Sequence, residues 1–238
     1  MTRDDILASL FPGGHAVVER DGLLHGQGQL GGTEAVAVIG VVAGTMLGVE
    51  GALTLAGHVL DLLRQGGGQP ILVLIDSGSQ RMSRHDELMG LNEYLAHLAK
   101  VLLLAHAQGH RTIGLLYGGS AAGAFIATAL ACETLLALPG AHPAVMDLPS
   151  MARVTKLPIE RLQEMAKATP VFAPGLANLA QTGAILATLD PNESLAGQVL
   201  AVLGQPGGAD QRGVLGAARG GRPKAAAIVA RVQALASA

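Results

Sequence analysis

The chain has 238 residues and a formal charge of −2; half of it is hydrophobic and 14% is charged. That is enough for one large domain with a sizeable core, and the apolar excess suggests buried subunit contacts. The near-zero charge, the absence of any Lys/Arg run and the scarcity of aromatics (no Trp, two Tyr, three Phe) exclude a general nucleic-acid binder.

In chain order, Asp4–Leu10 is predicted to be a short helix stopped by Pro12-Gly13-Gly14. The start, MTRDDILASL, lacks a basic segment followed by a long apolar run, so no signal peptide is expected and the expected compartment is the cytoplasm. Ala16–Glu19 and Gly22–Leu24 are short strand candidates, and Gly26–Gly32 reads as turns or a bulged strand. Ala35–Val42, rich in Val and Ile, is a strand buried on both faces, followed by a loop over Gly44–Gly51. Ala52–Gln65 places Leu53, Ala56, Leu60 and Leu63 at helical spacing and ends at three glycines.

Ile71–Ile75 is the next strand, with a polar loop over Asp76–Ser83 at its carboxyl end. Arg81 or Arg84 in that neighbourhood suits a carboxylate, a phosphate or an acidic partner surface. The simpler role for the loop is capping of the following helix by Ser83 or Asp86. His85–His106 carries Leu88, Leu91, Leu95, Leu98 and Leu102 along one helical face.

Thr112–Cys132 is 21 residues without a charge, which meets the length of a membrane span. Gly118-Gly119-Ser120 divides it into a strand, Thr112–Tyr117, and a small-residue helix, Ala121–Ala131, so strand–turn–helix is the expectation. Cys132, the only cysteine, is read as a small core residue, with no disulfide framework and no thiolate zinc site. His106 and His110 are four apart, but Gly109 intervenes and no carboxylate completes a metal set. Strands follow at Leu135–Leu138 and Ala144–Met146, then helices near Ile159–Ala168, Ala173–Gln181 and Glu193–Leu203. Gln205–Arg222 is Gly-rich and reads as a mobile loop or linker, and Pro223 opens a last helix through Leu235. Alternating strands and helices favour βα crossovers about a parallel-type sheet, with sites at the carboxyl ends of its strands.

The corner Tyr117–Gly123 is the first candidate site. Backbone amides of Gly119 and Ser120 at a strand-to-helix turn suit an enolate-like oxygen or a carboxylate. The plainer account is a turn whose glycines permit close packing. A serine hydrolase using Ser120, His142 and Asp147 is the rival chemistry, although His142, before Pro143, reads more simply as a surface residue. There is no dinucleotide fingerprint and no P-loop.

From about Gly28 to Lys156 the chain resembles the crotonase/ClpP superfamily, and within it the carboxyltransferase branch. The resemblance is carried by Gly31-Gly32-Thr33-Glu34-Ala35-Val36-Ala37-Val38-Ile39, by Pro70–Asp76 with its Ser-Gly loop, by Glu87 and Gly90, by Tyr117-Gly118-Gly119-Ser120, and by Pro139 through Met146. Asp147–Lys156 (DLPSMARVTK) is similar to the continuation found in the γ subunits of malonate decarboxylases. In ClpP-like proteases the nucleophile would fall at Ser120 or Ala121 and the histidine near Leu148, so no protease triad is implied.

The resemblance implies an α/β fold, a crotonase-like spiral of ββα units. It implies a carboxyltransferase-type domain over 1–204, to which the tail's own composition adds a loop or linker over 205–222 and a C-terminal helix over 223–238. It further implies a heteromer in which a β subunit completes the site. An acyl carrier subunit delivers a malonyl thioester on a CoA-derived prosthetic arm, and an α subunit is a further partner. No cofactor or metal is bound directly, and neither nucleic acid nor membrane is a partner. The products are an acetyl thioester and CO2. The Gly119 and Ser120 amides are the expected catalytic donors, and Gly118, Ala121, Ser77, Gly78 and Arg81 the expected substrate contacts. The carboxyltransferase half of a biotin-dependent enzyme and a non-catalytic scaffold subunit stand as alternatives.

Overall fold

The computed structural model describes residues 1–168, 174–207 and 210–237. Helix α1 (Arg3–Leu10) precedes β1 (Val18–Arg20), β2 (Leu23–Leu30) and β3 (Glu34–Leu47). Helix α2 (Val49–Gln65) leads to β4 (Ile71–Gln80), and α3 (Arg84–Leu88) with α4 (Leu91–Ala107) leads to β5 (Thr112–Leu116). Then come β6 (Gly119–Ala121), α5 (Ala122–Thr128), β7 (Thr134–Ala137) and β8 (His142–Ala144). Helices α6 (Leu148–Thr155), α7 (Ile159–Ala168) and α8 (Leu176–Gln181) precede β9 (Ala187–Thr188), α9 (Leu195–Leu203), α10 (Arg212–Ala218) and α11 (Ala225–Ala236).

Seven strands form one sheet in the order β1-β2-β3-β4-β5-β7-β9, antiparallel from β1 to β3 and parallel from β3 to β9. The parallel pair β6–β8 forms a second, small sheet. The period-2 geometry of a strand sends successive side chains to opposite faces. On one face Ile39, Ile71, Val73, Ile75 and Leu135 pack with α2, α4 and α5. On the other, Val36, Val38, Leu72, Leu74 and Leu115 pack with α1 and α9. Two-sided burial explains why these strands read as continuous apolar runs. No helix among the described residues is long and apolar enough to cross a membrane.

Several boundaries differ from expectation. Gly26 and Gly28 lie inside the regular strand β2 rather than in turns. A Cβ at Gly26 would sit 2.2 Å from the Ala16 carbonyl oxygen, and one at Gly28 would sit 2.6 Å from the Phe11 ring, so these glycines admit close neighbours. Strand β3 continues past Val42 to Leu47 through a register shift after Val41, where Ala43 and Gly44 have φ of +57° and +65°. Its extension pairs with residues 77 and 80, so most of the expected polar loop Asp76–Ser83 is strand. The helix expected over His85–His106 is broken at Gly90, which is left-handed with φ +81°.

The helix expected over Ala121–Ala131 is shorter, because Gly119–Ala121 pairs with β8 as a strand. The strand expected at Ala144–Met146 lies earlier, at His142–Ala144, for the same reason. Helix α6 was not expected, although Asp147 as N-cap and Pro149 in the first turn are ordinary start signals. The helix expected over Ala173–Gln181 is seen as α8; Ala173 lies outside the described residues, as do Gly208, Ala209 and Ala238 of the tail.

The Gly-rich stretch read as a mobile linker contains α10, and guanidinium groups bind the tail to the body. Arg212 donates to the Leu130 carbonyl at 2.9 Å, and Arg219 to the Ile185 and Leu186 carbonyls at 2.6 and 2.7 Å. Arg111, paired with Glu133, donates to the Gln205 carbonyl at 2.8 Å.

Candidate active site

The candidate site lies where the carboxyl end of β4 meets β6 and the start of α5. The two strands are joined by a buried pair of hydroxyls, Ser77 Oγ and Ser120 Oγ, 2.8 Å apart. One proton bridges the pair, which leaves the second hydroxyl proton to be donated elsewhere. Gln80 Oε1 accepts from the Gly123 N–H at 2.6 Å, which fixes the first turn of α5 against β4.

One of the two amides expected as donors is not free. The Gly119 N–H donates to Asp76 Oδ1 at 3.0 Å. A Cβ at Gly118 would fall 2.1 Å from the same oxygen, so the turn approaches Asp76 as only glycine allows. Beside it, the Tyr117 phenol is pushed well above its ordinary range, chiefly by burial and then by the Asp76 charge. Ser120 lies in the β6–β8 ladder opposite Pro143, and half-buried Ala121 is the N-cap of α5.

Arg81 is also committed elsewhere. Its guanidinium is bidentate on Asp86, at 2.7 Å from Nε and 2.9 Å from Nη2, and bonds Glu50 as well. Asp86 is fully buried and also accepts from Ser83 Oγ and from the Val49 N–H at the start of α2. These bonds, Arg81 first, hold its carboxyl well below the ordinary carboxylate range. Arg81 therefore ties β4, α2 and α3 together instead of presenting a free cation. Ser83 caps α3 by accepting from the Asp86 N–H at 3.0 Å, as the simpler reading of the loop expected.

The hydrolase triad is not assembled. Ser120 pairs with Ser77, while Asp147 caps α6 by accepting from the Ser150 N–H at 2.7 Å. Exposed His142 starts β8 opposite Gly119 and sends Nδ1 toward the Gly140 carbonyl at 3.3 Å. His106 faces Glu133, and buried His110 bonds the Gln69 carbonyl at 2.8 Å. No group of three or more potential metal-binding side chains occurs among the described residues. Cys132 is buried, and burial pushes its thiol up to about 12.

Two features escaped sequence reasoning. The Ser79 N–H has the Met46 thioether as partner, with N···Sδ at 3.3 Å. Sulfur is a weak acceptor, so this amide remains a strong donor for any oxygen that reaches it. In addition, Ala43 and Ala122 flank the corner in left-handed conformations, with φ of +57° and +51°. Such strain in a residue bearing a Cβ gathers at functional sites, and no residue-type signal marks it in advance. Ala122→Gly is expected to raise the unfolding free energy by about 1 kcal/mol, read from the urea midpoint, because glycine adopts that φ without a steric cost.

Beside the corner a groove of about 380 Å³ runs between α4 and α5, lined by Gln80, Glu87, Leu91, Leu95, Gly123 and Ile126. The segments around it carry exposed apolar side chains: Met46, Met82, Leu88, Met89 and Ile126. At 74% and 77% exposed, Met82 and Leu88 have little apolar cover among the described residues.

The chain is 29% identical over 171 residues to the malonyl-S-ACP:biotin-protein carboxyltransferase MADD of Malonomonas rubra, covering 65% of this chain and 58% of that protein. The chain thus spans under two thirds of that relative's length. It superposes on a Pseudomonas malonate decarboxylase hetero-tetramer in complex with coenzyme A with a TM-score of 0.78 and 25% identity, over 98% of this chain and 97% of that one. A Pseudomonas MdcD-MdcE hetero-dimer matches with a TM-score of 0.76 and 26% identity over 96% of both chains. The transcarboxylase 12S core matches with a TM-score of 0.70 at 18% identity, over 84% of this chain and 41% of that one, and shows the fold alone. The fold is the crotonase type of the carboxyltransferases, as the sequence resemblance implied. The profile of the malonate decarboxylase gamma subunit matches residues 42–236, and the chain therefore belongs to that family.

Proposed function

We propose that this chain is the γ half of a heteromeric malonyl-thioester decarboxylase. A β subunit completes the site, and an acyl carrier subunit presents the malonyl group as a thioester on a CoA-derived arm. The observation that carries this reading is the corner itself: the buried Ser77–Ser120 pair joins β4 to β6, the Ser79 N–H two residues on has only a thioether as partner, and exposed apolar side chains, Met82 and Leu88 foremost, stand nearby. Such a half-site is completed by a second protein wall.

Loss of CO2 from a malonyl thioester sends an electron pair into the thioester carbonyl and forms an enolate. The catalyst stabilises that oxygen, holds the departing carboxylate out of the carbonyl plane and excludes water. In this reading the Ser79 N–H donates to the thioester oxygen and the Ser120 hydroxyl, held by Ser77, donates to the carboxylate. Gly78, Gly118 and Ala121 form the close wall. Gly119 contributes by locking Asp76, and Arg81 by fixing the end of β4. No titrating acid–base pair within the chain is needed for carbon–carbon cleavage.

The test is reconstitution with the β subunit and malonyl-loaded carrier, without biotin, following CO2. Release from the pair and not from either chain alone is the expected result. Release only when a biotin carrier is supplied would transfer the assignment to carboxyl transfer, the second reading, which the likeness to the Malonomonas rubra protein favours. No release from a stable pair under either condition would support a scaffold role.

A further inference from the structure

We propose that Met46 is a reversible oxidation site that gates the corner by holding the Ser79 amide. The proposal rests on the functional reading above and concerns the regulation of that same site.

Met46 lies on the extension of β3, where the register with β4 shifts between Thr45 and Leu47. Its side chain crosses the end of β4 because position 78 is glycine. A Cβ there would stand 2.5 Å from Met46 Sδ, and any other residue would expel the sulfur. The thioether receives the Ser79 N–H at 3.3 Å, with Ser79 Oγ 3.9 Å away. That hydroxyl has its own acceptor, the Gln80 carbonyl at 3.0 Å. The sulfur is thus the amide's placeholder. A thioester oxygen is a better acceptor and displaces an unbranched, flexible side chain at small cost.

The same placement makes the sulfur chemically vulnerable. In the isolated chain Met46 is 43% exposed, so a peroxide reaches it from solvent before the β subunit is added. The sulfur lone pair attacks one peroxide oxygen, the O–O bond breaks, an S–O bond forms and water leaves. Sulfur loses two electrons and the peroxide gains them. The product carries a strongly accepting oxygen on the atom that already faces the Ser79 N–H. The oxidised side chain becomes a resident competitor for the donor that the substrate oxygen needs. Reduction of the sulfoxide by methionine sulfoxide reductases returns the weak acceptor.

Isolated wild-type and Met46→Leu chains are exposed to hydrogen peroxide, freed of it, and then assembled with the β subunit and malonyl-loaded carrier. Each complex is scored against the same complex made from untreated chain, and mass spectrometry reports oxygen uptake at every methionine. The wild type is expected to lose about 10²-fold in turnover, the lower end of what one lost oxyanion donor costs. The loss should track oxygen at Met46 and reverse with the reductases. Met46→Leu is expected to keep most of its own activity while Met82 and Met89 are oxidised. Equal inactivation of both complexes, or full wild-type turnover with Met46 oxidised, would overturn the proposal.

A second measurement is independent of turnover. Exchange of the Ser79 amide hydrogen, followed by NMR on the isolated chain, should slow when Met46 is oxidised. Unchanged exchange would overturn the gate even in an active complex. An untreated complex without activity would count against the functional reading alone.

Discussion

Asp86→Ala is expected to lower the unfolding free energy by about 3–5 kcal/mol, the scale for removing one partner of a buried ion pair. That is a large fraction of the roughly 5–15 kcal/mol by which domains are stable. The carboxylate is fully buried and serves Arg81, Ser83 and the Val49 amide together, so its loss leaves three donors without their acceptor. Arg81→Ala should cost less, because its guanidinium side is partly exposed and screened by solvent. The same carboxylate sets a pH dependence. Its folded-state pKa is depressed below the unfolded value of about 3.9, so the unfolded chain takes up the proton first. The stabilisation is complete above the unfolded pKa and is lost as the pH falls below it toward the folded value. Urea midpoints between pH 7 and pH 3 check both statements: the wild type should weaken steeply at the acid end, and Asp86→Ala should show a shallower slope. Equal slopes would remove Asp86 from the account of acid stability.

Ser120→Ala is expected to reduce turnover of the assembled enzyme by about 10²–10³-fold, the range for loss of one donor aimed at developing charge. It should also cost roughly 1–3 kcal/mol of stability, because the buried Ser77 hydroxyl loses its partner. The two effects separate in the double variant. Ser77→Ala with Ser120→Ala removes both polar groups, so stability should recover toward the wild type while turnover stays low. Wild-type turnover in Ser120→Ala would sink the carboxylate-donor role. Recovery of turnover in the double variant would show that the pair acts only through stability.

The layout of the sheet was legible because it follows from side-chain period and burial. Val36 through Val42 and Ile71 through Ile75 are apolar on both faces, and two-sided burial reads directly as an uninterrupted run. The corner's position was legible too, since a strand followed by Gly-Gly-Ser and small residues announces a tight strand-to-helix passage. Its hydrogen bonding was not. Gly119 and Asp76 are 43 positions apart, as are Ser77 and Ser120, and no local pattern couples them. Arg81 illustrates the same limit: a cation in a polar loop looks free until tertiary structure brings a buried carboxylate to it. Polar loops read from composition were the weakest part. Residues 76–80 are polar and still form strand, because the β3 extension supplies partners that propensity alone does not reveal.

The contact between the first helix and the ninth bears on how the chain is made. The Leu195 N–H donates to Ser9 Oγ at 3.0 Å across 186 positions, and α1 and α9 share one apolar cluster. A ribosome adding about 5–20 residues each second separates those two segments by roughly 10–40 s. Through that interval Ile6, Leu7, Leu10 and Phe11 are present without Leu195, Val199 and Val202, their partners in the cluster. Most of the face packed by α2, α4 and α5 can close earlier, with Ile185 and α8 added to it later. One face is therefore largely covered while the opposite face still waits for α9, and in that window the nascent chain carries an open apolar surface.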